Sequence, residues 1–284
     1  MIEIPEAISI CRQMQETLVG KTIVQAKANF SPHKFAWYIG DPQEYGEKLV
    51  GKTFNGCKAQ SGMIEMHFGD MRVVLGDGAI PRYYSQNEKH PAKHQLQLLF
   101  ADGSGLYVSI AMYGGIWAFK EGSFDNPYYL KACQAVSPLS HEFDYDYFKQ
   151  IDQAQGKLSV KAFLATEQRI PGLGNGSLQD ILWKAGVHPK RKVANMSESE
   201  FQKLFRVLKE TLAEMANLGG RDIENDLFGQ PGGYQTTMSK NGIKNPCPHC
   251  GDTIIKEAYM GGSVYYCPTC QPLENFKIGD SPLF

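Results

Sequence analysis

The chain contains no run of eighteen apolar residues. Its opening, MIEIPEAISI, carries Glu3, Pro5 and Glu6 where a signal peptide would carry a basic stretch followed by an apolar one. Membrane spanning and export are therefore not expected, and the chain reads as cytoplasmic. An excess of charge of one sign is also missing. With 29 Lys and Arg against 30 Asp and Glu, the net charge of −1 excludes a globally basic nucleic-acid coat, although a local basic face can hide in a neutral average. Internal repeats and low-complexity tracts are absent. What is present is 284 residues at 42% apolar and 21% charged, enough for two domains and a small module.

Cysteine placement says more than cysteine number. Of seven, Cys11, Cys57 and Cys133 are scattered and read as buried small apolar residues. Cys247, Cys250, Cys267 and Cys270 form two C-x-x-C pairs sixteen residues apart in CPHCGDTIIKEAYMGGSVYYCPTC. Each pair closes a tight turn with its sulfurs aimed at one cation, and Gly261-Gly262 between apolar stretches suits a hairpin that returns the second pair to the first. A structural Zn2+ held by four thiolates follows. A redox dithiol needs only one pair, and a reducing cytosol disfavours disulfides. His249, inside the first turn, reads as exposed rather than ligating, and His33, His90 and His94 as surface or strand-turn residues.

Along the chain, Ala7, Ile8, Cys11, Met14 and Leu18 recur at helical spacing up to Gly20, an amphipathic helix over 5–19. Glu3 and Glu6 at its head either cap it, favoured by the helix dipole, or carry chemistry. From 21 to 131 short runs (TIVQAKANF, MIEMHF, MRVVLG, QLQLLF, LYVSIAMY, GIWAF) punctuated by turn residues describe an all-β sandwich or barrel. After a proline-containing stretch come helices. The longest, SESEFQKLFRVLKETLAEMANLGG, opens on a Ser197–Glu200 capping box and closes on Gly219-Gly220. In RIPGLGNGSLQDIL, Gly172, Gly174 and Gly176 permit positive φ and Asn175 tolerates it, a corner able to expose amides to a phosphate at the next helix start. Lys184, His188, Lys190, Arg191 and Lys192 cluster beyond that helix and favour a phosphodiester ligand.

Together, MxExPE, the β-rich half, I-x-G-x-G-N, A-G-x-H-P and the terminal CxxC–x16–CxxCQ resemble the formamidopyrimidine-DNA glycosylase / endonuclease VIII family of base-excision repair proteins, from Met1 to Gln271. The resemblance implies an α+β multidomain fold: 1–131, a leading helix with a β-sandwich; 132–144, a linker; 145–238, a helix-two-turn-helix domain; 239–275, a zinc-finger hairpin; 276–284, a tail. It implies a DNA groove between domains and a monomer, cytoplasmic and nucleoid-associated, acting on double-stranded DNA with a damaged base or abasic site. Lys161, Gly174 and Asn175 would lie near backbone phosphates, with Met112 and Tyr113 as an apolar wedge. Glu3 matches the family acid that protonates the opening sugar, and Glu6 a second acid at the same site.

Departures cluster at the reacting centre. The family's nucleophilic proline, exposed after methionine removal, is here Ile2, so Met1 is expected to stay and its amine to sit up to ~3.8 Å away. An error of ~1 Å in attack geometry costs on the order of a hundredfold. A primary amine still forms a Schiff base if position and protonation allow. The family's phosphate-gripping lysine falls near Gly62, with Lys58 roughly 13 Å off along a strand. Its gap-filling residues fall at Asp77 and at Tyr113-Gly114, and its finger arginine falls at Gly262. Three readings stand: a diverged DNA glycosylase using Met1, Ile2, Glu3 and Glu6 as its catalytic end with lyase activity weak or absent; an inactive member that binds lesions or structured nucleic acid; and a zinc-stabilised protein-interaction module.

Overall fold

The computed structural model describes residues 1–151 and 156–273; the segment read as a tail, 276–284, lies outside the described residues. The chain forms two compact units. One comprises Met1–Ser137, Pro171–Leu173 and Leu212–Gln235, and the other Pro138–Ile170, Gly174–Thr211 and the chain from Thr236 onward.

In the first unit, α1 (Ile4–Leu18) begins at Glu3 with a reciprocal capping box in which the Glu3 amide donates to Glu6 Oε2 at 3.1 Å. Its apolar face, with Ala7, Ile10, Met14 and Leu18, enters the main core. Strands β1 (Ile23–Ala28), β2 (Ala36–Trp37), β3 (Gly56–Gln60), β4 (Met63–Phe68), β5 (Met71–Tyr84), β6 (Leu96–Phe100) and β7 (Gly105–Lys120) make a seven-stranded sheet in the order β1-β6-β7-β5-β4-β3, with β2 parallel to β7. Ile23 and Leu98 at one end of this order and Ile64 and Phe68 at the other belong to the same core, so the sheet closes around one apolar interior with α1. The short helices α2 (Tyr45–Leu49) and α3 (Pro127–Gln134) complete the unit.

Two punctuation marks in the sequence are not turns. LYVSIAMY and GIWAF are one sixteen-residue strand, β7, and MRVVLG continues through DGAIPRYY as β5. The glycines sit where backbones and rings press together. A Cβ on Gly115 would lie 2.0 Å from the Trp117 ring, and one on Gly114 would lie 2.7 Å from the Ala79 amide. Asp77 holds φ +58° at a register shift in β5. His94, read as a surface or strand-turn residue, precedes β6 and is buried, stacked on Phe30 at 4.7 Å with Tyr107 edge-on.

The second unit holds α4 (Tyr145–Gln150), α5 (Val160–Ala165), α6 (Asn175–Ala185) and the hairpin β8 (Ile255–Tyr259) and β9 (Gly262–Tyr266); α7 (Glu198–Asn217) begins in it and ends in the first. Phe148 packs against Phe163, Phe201 and Phe205, an aromatic knot that gives the short helices their core. The capping box is present, Ser197 N donating to Glu200 Oε2 at 2.8 Å and Glu200 N to Ser197 Oγ at 3.3 Å. Arg191 adds a two-pronged bond to the Glu200 carboxylate, at 2.7 and 2.9 Å. The finger turns at Met260 (φ +51°) and Gly261 (φ +72°), so Gly262 opens β9 instead of sharing the turn.

Gly62 and Gly172 touch. A Cβ on Gly62 would lie 2.8 Å from Gly172 Cα, and the carbonyl of Gly172, a residue at φ +78°, accepts from the Ile4 amide at 3.0 Å. Gly62→Lys is therefore expected to destabilise the chain by about 1 to 3 kcal/mol. Urea denaturation checks this, and unchanged stability would show that the backbone contact yields freely.

Candidate functional site

The site residues read from the sequence fall into two groups, one in each unit. In the first unit the chain's opening is held by a charge network. α7 ends at Asn217, and Gly219 and Gly220, both at positive φ, swing the chain so that Arg221 follows at once. Its side chain is only 1% exposed. It meets Glu6 through Nε (2.9 Å) and Nη2 (2.7 Å) and Glu3 through Nη1 (3.2 Å), and its backbone amide donates to Glu6 Oε1 at 3.0 Å. Nη2 also reaches the Met1 carbonyl at 3.2 Å. The Met1 ammonium rests on Glu224 at 2.5 Å, and the Ile2 amide donates to the Asp77 carbonyl at 3.3 Å.

The first two residues are thus fixed at three backbone atoms, while the Ile2 side chain is buried in the core. Glu3 and Glu6 cap α1, one of the two roles the sequence allowed, and they also compensate a buried cation, which it did not suggest. Burial raises the Glu6 pKa, but the Arg221 charge and hydrogen bonds outweigh it and hold the carboxyl below its usual value. For Arg221 the desolvation that would lower its pKa is overcome by Glu3 and Glu6, and the net direction is upward. Tyr113 reaches to 4.0 Å from Met1 Sδ through its hydroxyl, and Met112 beside it is exposed. Arg221 and Glu224 escaped the sequence reading. Their one available signal was the charge cluster RDIEND directly after a glycine pair.

In the second unit, Lys161 and Asn175 face the hairpin. Lys161, nearly buried, donates from Nζ to the Tyr259 carbonyl at 2.5 Å, and burial lowers its pKa. Asn175 Nδ2 donates to Ser263 O at 2.8 Å; Gln179 Nε2 shares that carbonyl at 3.0 Å, and its Oε1 accepts from the Tyr265 amide at 3.2 Å. Gly262 adjoins both: a Cβ there would lie 3.6 Å from Asn175 Nδ2 and 3.8 Å from Lys161 Nζ. Gly174 is the N-cap of α6 in an extended conformation, and Asn175 is its first helical residue. Of the three loop glycines only Gly172 uses positive φ.

At the finger, the sulfurs of Cys247, Cys250, Cys267 and Cys270 all lie within 4.8 Å of one another. Cys247 and Cys270 are 3.7 Å apart, and Cys250 and Cys267 3.4 Å. Four thiolates at ~2.3 Å from one ion stand ~3.8 Å apart in a tetrahedron, so this set fits a zinc-sized cation. His249 is exposed, its Nδ1 3.3 Å from Cys270 Sγ, and donates to or accepts from a sulfur without replacing one. Gln271, fully buried, bonds the Cys267 amide at 3.0 Å and the Val187 carbonyl at 2.9 Å, tying the finger to the end of α6.

An α+β chain with a helix-capped sheet unit, a short-helix unit and a four-cysteine hairpin is the class of helix-two-turn-helix proteins with a terminal finger. Residues 135–226 match the formamidopyrimidine-DNA glycosylase H2TH domain. Over 281 residues, covering 95% of this chain and 99% of the relative, the sequence is 28% identical to a formamidopyrimidine-DNA glycosylase of Lactobacillus delbrueckii subsp. bulgaricus. It is also 28% identical over 280 residues to that of Cytobacillus firmus, covering 95% and 100%. The fold is similar to that of Lactococcus lactis Fpg in complex with DNA containing an abasic site, with a TM-score of 0.80 and 22% identity over 95% of this chain and 99% of that one. It is similar also to MutM (Fpg) from Thermus thermophilus, at 0.79 and 23% over 96% and 100%. The chain thus carries the formamidopyrimidine-DNA glycosylase H2TH domain, and along nearly its whole length it is similar to formamidopyrimidine-DNA glycosylases. Among the described residues no helix is long and apolar enough to cross a membrane.

Removing Arg221 while leaving its carboxylates buried is expected to cost about 3 to 5 kcal/mol in Arg221→Met. Because the Glu6 pKa is lower in the folded chain than its ordinary 4.5, the ion pair stabilises the fold above that pH and the contribution is lost as pH falls through it. Chemical denaturation between pH 6 and 3 should show a steep loss for the native chain and a shallower one for Glu6→Gln. Equal slopes would remove Glu6 from the network.

Proposed function

We propose that this chain is a damaged-DNA-binding protein of base-excision repair, a DNA N-glycosylase acting on duplex DNA with a damaged base or abasic site, in which strand-cleaving lyase chemistry is weak or absent. Similarity supports the substrate class: the relatives named above are formamidopyrimidine-DNA glycosylases, and one solved neighbour holds abasic-site DNA. The observation that carries the finer reading is the ion pair between the Met1 ammonium and Glu224. A Schiff base at C1′ needs a neutral amine. The Met1 nitrogen must leave Glu224 and lose a proton before it can attack, and Ile2, with its side chain in the core, supplies no alternative nucleophile.

The two acids divide the remaining work. Glu6, capped, buried and doubly bonded to Arg221, is a poor proton donor and serves to position the first turn. Glu3, which caps α1 and meets the same guanidinium, is the group we assign to the sugar, as a base for water or as the negative partner of a cation developing at C1′. One positioned carboxylate is worth roughly a hundred- to ten-thousandfold, enough where the damaged base leaves readily. In the second unit, Lys161 and Asn175 keep donors beyond those given to Tyr259 and Ser263, since an ammonium carries three hydrogens and an amide two. With the amides at the start of α6 they would serve a phosphate. The catalytically inactive alternative, which binds lesions without cleavage, draws on the same network, because every charged group at the chain's opening already has a partner.

We assign one structural Zn2+ to the four finger thiolates, which would fill a tetrahedron and leave no open position for catalysis. Metal released by a thiol-modifying reagent should amount to one zinc per chain, and Cys250→Ser should lose both the metal and the protease resistance of the finger. A metal-free finger of unchanged resistance would contradict the assignment. For the activity, the chain is mixed with duplexes bearing an abasic site, a ring-opened purine or an oxidised pyrimidine, with and without borohydride. Base release with little covalent adduct is expected, and Glu3→Gln should lower release at least a hundredfold. Abundant adduct would restore lyase chemistry to Met1, and tight binding without release would leave the inactive alternative.

A further inference from the structure

Two of the cysteines that lie far apart in the sequence meet in the first unit. Cys11 and Met14, one turn apart, share the face of α1 that enters the core, and Cys57 on β3 packs against the same core. The Cys57 thiol donates to Met14 Sδ at 3.8 Å, and the Cys11 thiol stands within hydrogen-bonding reach of it. The backbones alongside are held together. Gln15 Nε2 donates to the Cys57 carbonyl at 3.5 Å, and a Cβ on Gly56 would lie 3.4 Å from Gln15 Oε1, so α1 lies close on the strand. Cys11 is buried while Cys57 is partly exposed, which gives the pair one thiol open to small solutes and a second directly behind it. Cys133 is also partly exposed, but the groups around its thiol are Tyr129, Glu65 and Lys58. The four finger cysteines lie in the other unit.

We propose that Cys11 and Cys57 are an oxidation site for hydroperoxides, closing to an intramolecular disulfide that staples α1 to β3. The chemistry needs no other group of the protein. Cys57 Sγ attacks a peroxide oxygen, the O–O bond breaks, and the leaving alcohol or water takes the thiol proton, so that the sulfur becomes a sulfenic acid. The Cys11 sulfur then attacks the Cys57 sulfur, its proton departs with the hydroxyl as water, and the S–S bond forms. One peroxide is reduced and two thiols are oxidised. Position assigns the roles: the partly exposed sulfur meets the oxidant, and the buried one resolves the sulfenic acid. Burial, reinforced by Cys11 and Glu65, pushes the Cys57 thiol up, so thiolate is scarce at neutral pH and closure is slow. The site therefore answers sustained peroxide and not a brief pulse. A thiol pool returns it to the dithiol, as it does the transient disulfides of reducing compartments. The bond closes a loop of about 46 residues and joins α1, whose head carries Glu3 and Glu6, to the last strand in the sheet order.

The test uses the full chain, exposed to hydrogen peroxide, alkylated and cut with trypsin. Cleavage after Arg12, Lys52 and Lys58 places Cys11 in residues 1–12 and Cys57 in residues 53–58. Mass spectrometry should find these two peptides joined, dithiothreitol should release them, and Cys133 should join neither. The oxidised chain should unfold about 5 °C above the reduced one, a gain absent from Cys57→Ser. The peptide map is read on the unaltered chain, so the result does not depend on how well that variant folds. Recovery of Cys11 and Cys57 as alkylated thiols, after an exposure that oxidises the finger cysteines, would overturn the proposal. So would Cys57 found as a sulfinic acid, or joined to a second chain in a dimer on a non-reducing gel. Joined peptides without a rise in unfolding temperature would mean a bond made only in unfolded chains, and overturn it too. None of these outcomes bears on the repair reading.

Discussion

A guanidinium that is 1% exposed decides how this chain begins. Burying a lone charge costs several kcal/mol, and Arg221 is tolerable only because two carboxylates and a carbonyl meet it. The bond to Glu6 is two-pronged and fixed in plane, and the contact to Glu3 is longer. Because Glu3 is also the N-cap of α1 and Glu6 its third helical residue, the same pair that neutralises Arg221 sets where the first helix starts. Gly219 and Gly220 make this reach possible: both adopt left-handed backbone, and a Cβ on Gly220 would stand 3.3 Å from Glu6 Cγ and Oε1.

That arrangement gives the two opening acids different characters. Glu6 is consumed by structure, and its depressed pKa keeps it ionised where a proton donor would be needed. Glu3 both caps α1 and meets Arg221, and Met1 is tied to Glu224 at its amine and to Arg221 at its carbonyl. The departures from the family pattern are built into the packing. At Gly62 the backbone of Gly172 fills the space where a lysine side chain would begin, and at Gly262 the side chains of Asn175 and Lys161 stand close by.

The finger shows the same economy on a smaller scale. A small core of Met238, Ile254, Cys247 and Cys267 lies under the finger, and the four-sulfur cluster and the Gln271 bonds to Cys267 and Val187 add to it. Lys161, Asn175 and Gln179 then fasten the hairpin to α5 and α6 through carbonyls at Tyr259 and Ser263 and the amide of Tyr265. The position of the hairpin is therefore coupled to that of α5 and α6.

Features carried by spacing within a short stretch were open to reading in one dimension. The period of α1, the Ser197–Glu200 box and the paired C-x-x-C turns each depend on residues a few positions apart, and each stands where the spacing put it. Where the reading missed, the cause was distance along the chain. Gly114-Gly115 and LGDG looked like turns because nothing local shows that a ring and a neighbouring strand press on those glycines. Arg221 went unnoticed because its partners lie more than two hundred residues away. The sequence by itself determined the first helix, the four-cysteine motif and the pair of acids at the opening, since helix period, turn chemistry and ligand spacing are local. Only the tertiary structure decided that those acids share a buried arginine and that the first amine rests on Glu224, because the cost of burying charge is settled by whatever the fold brings alongside.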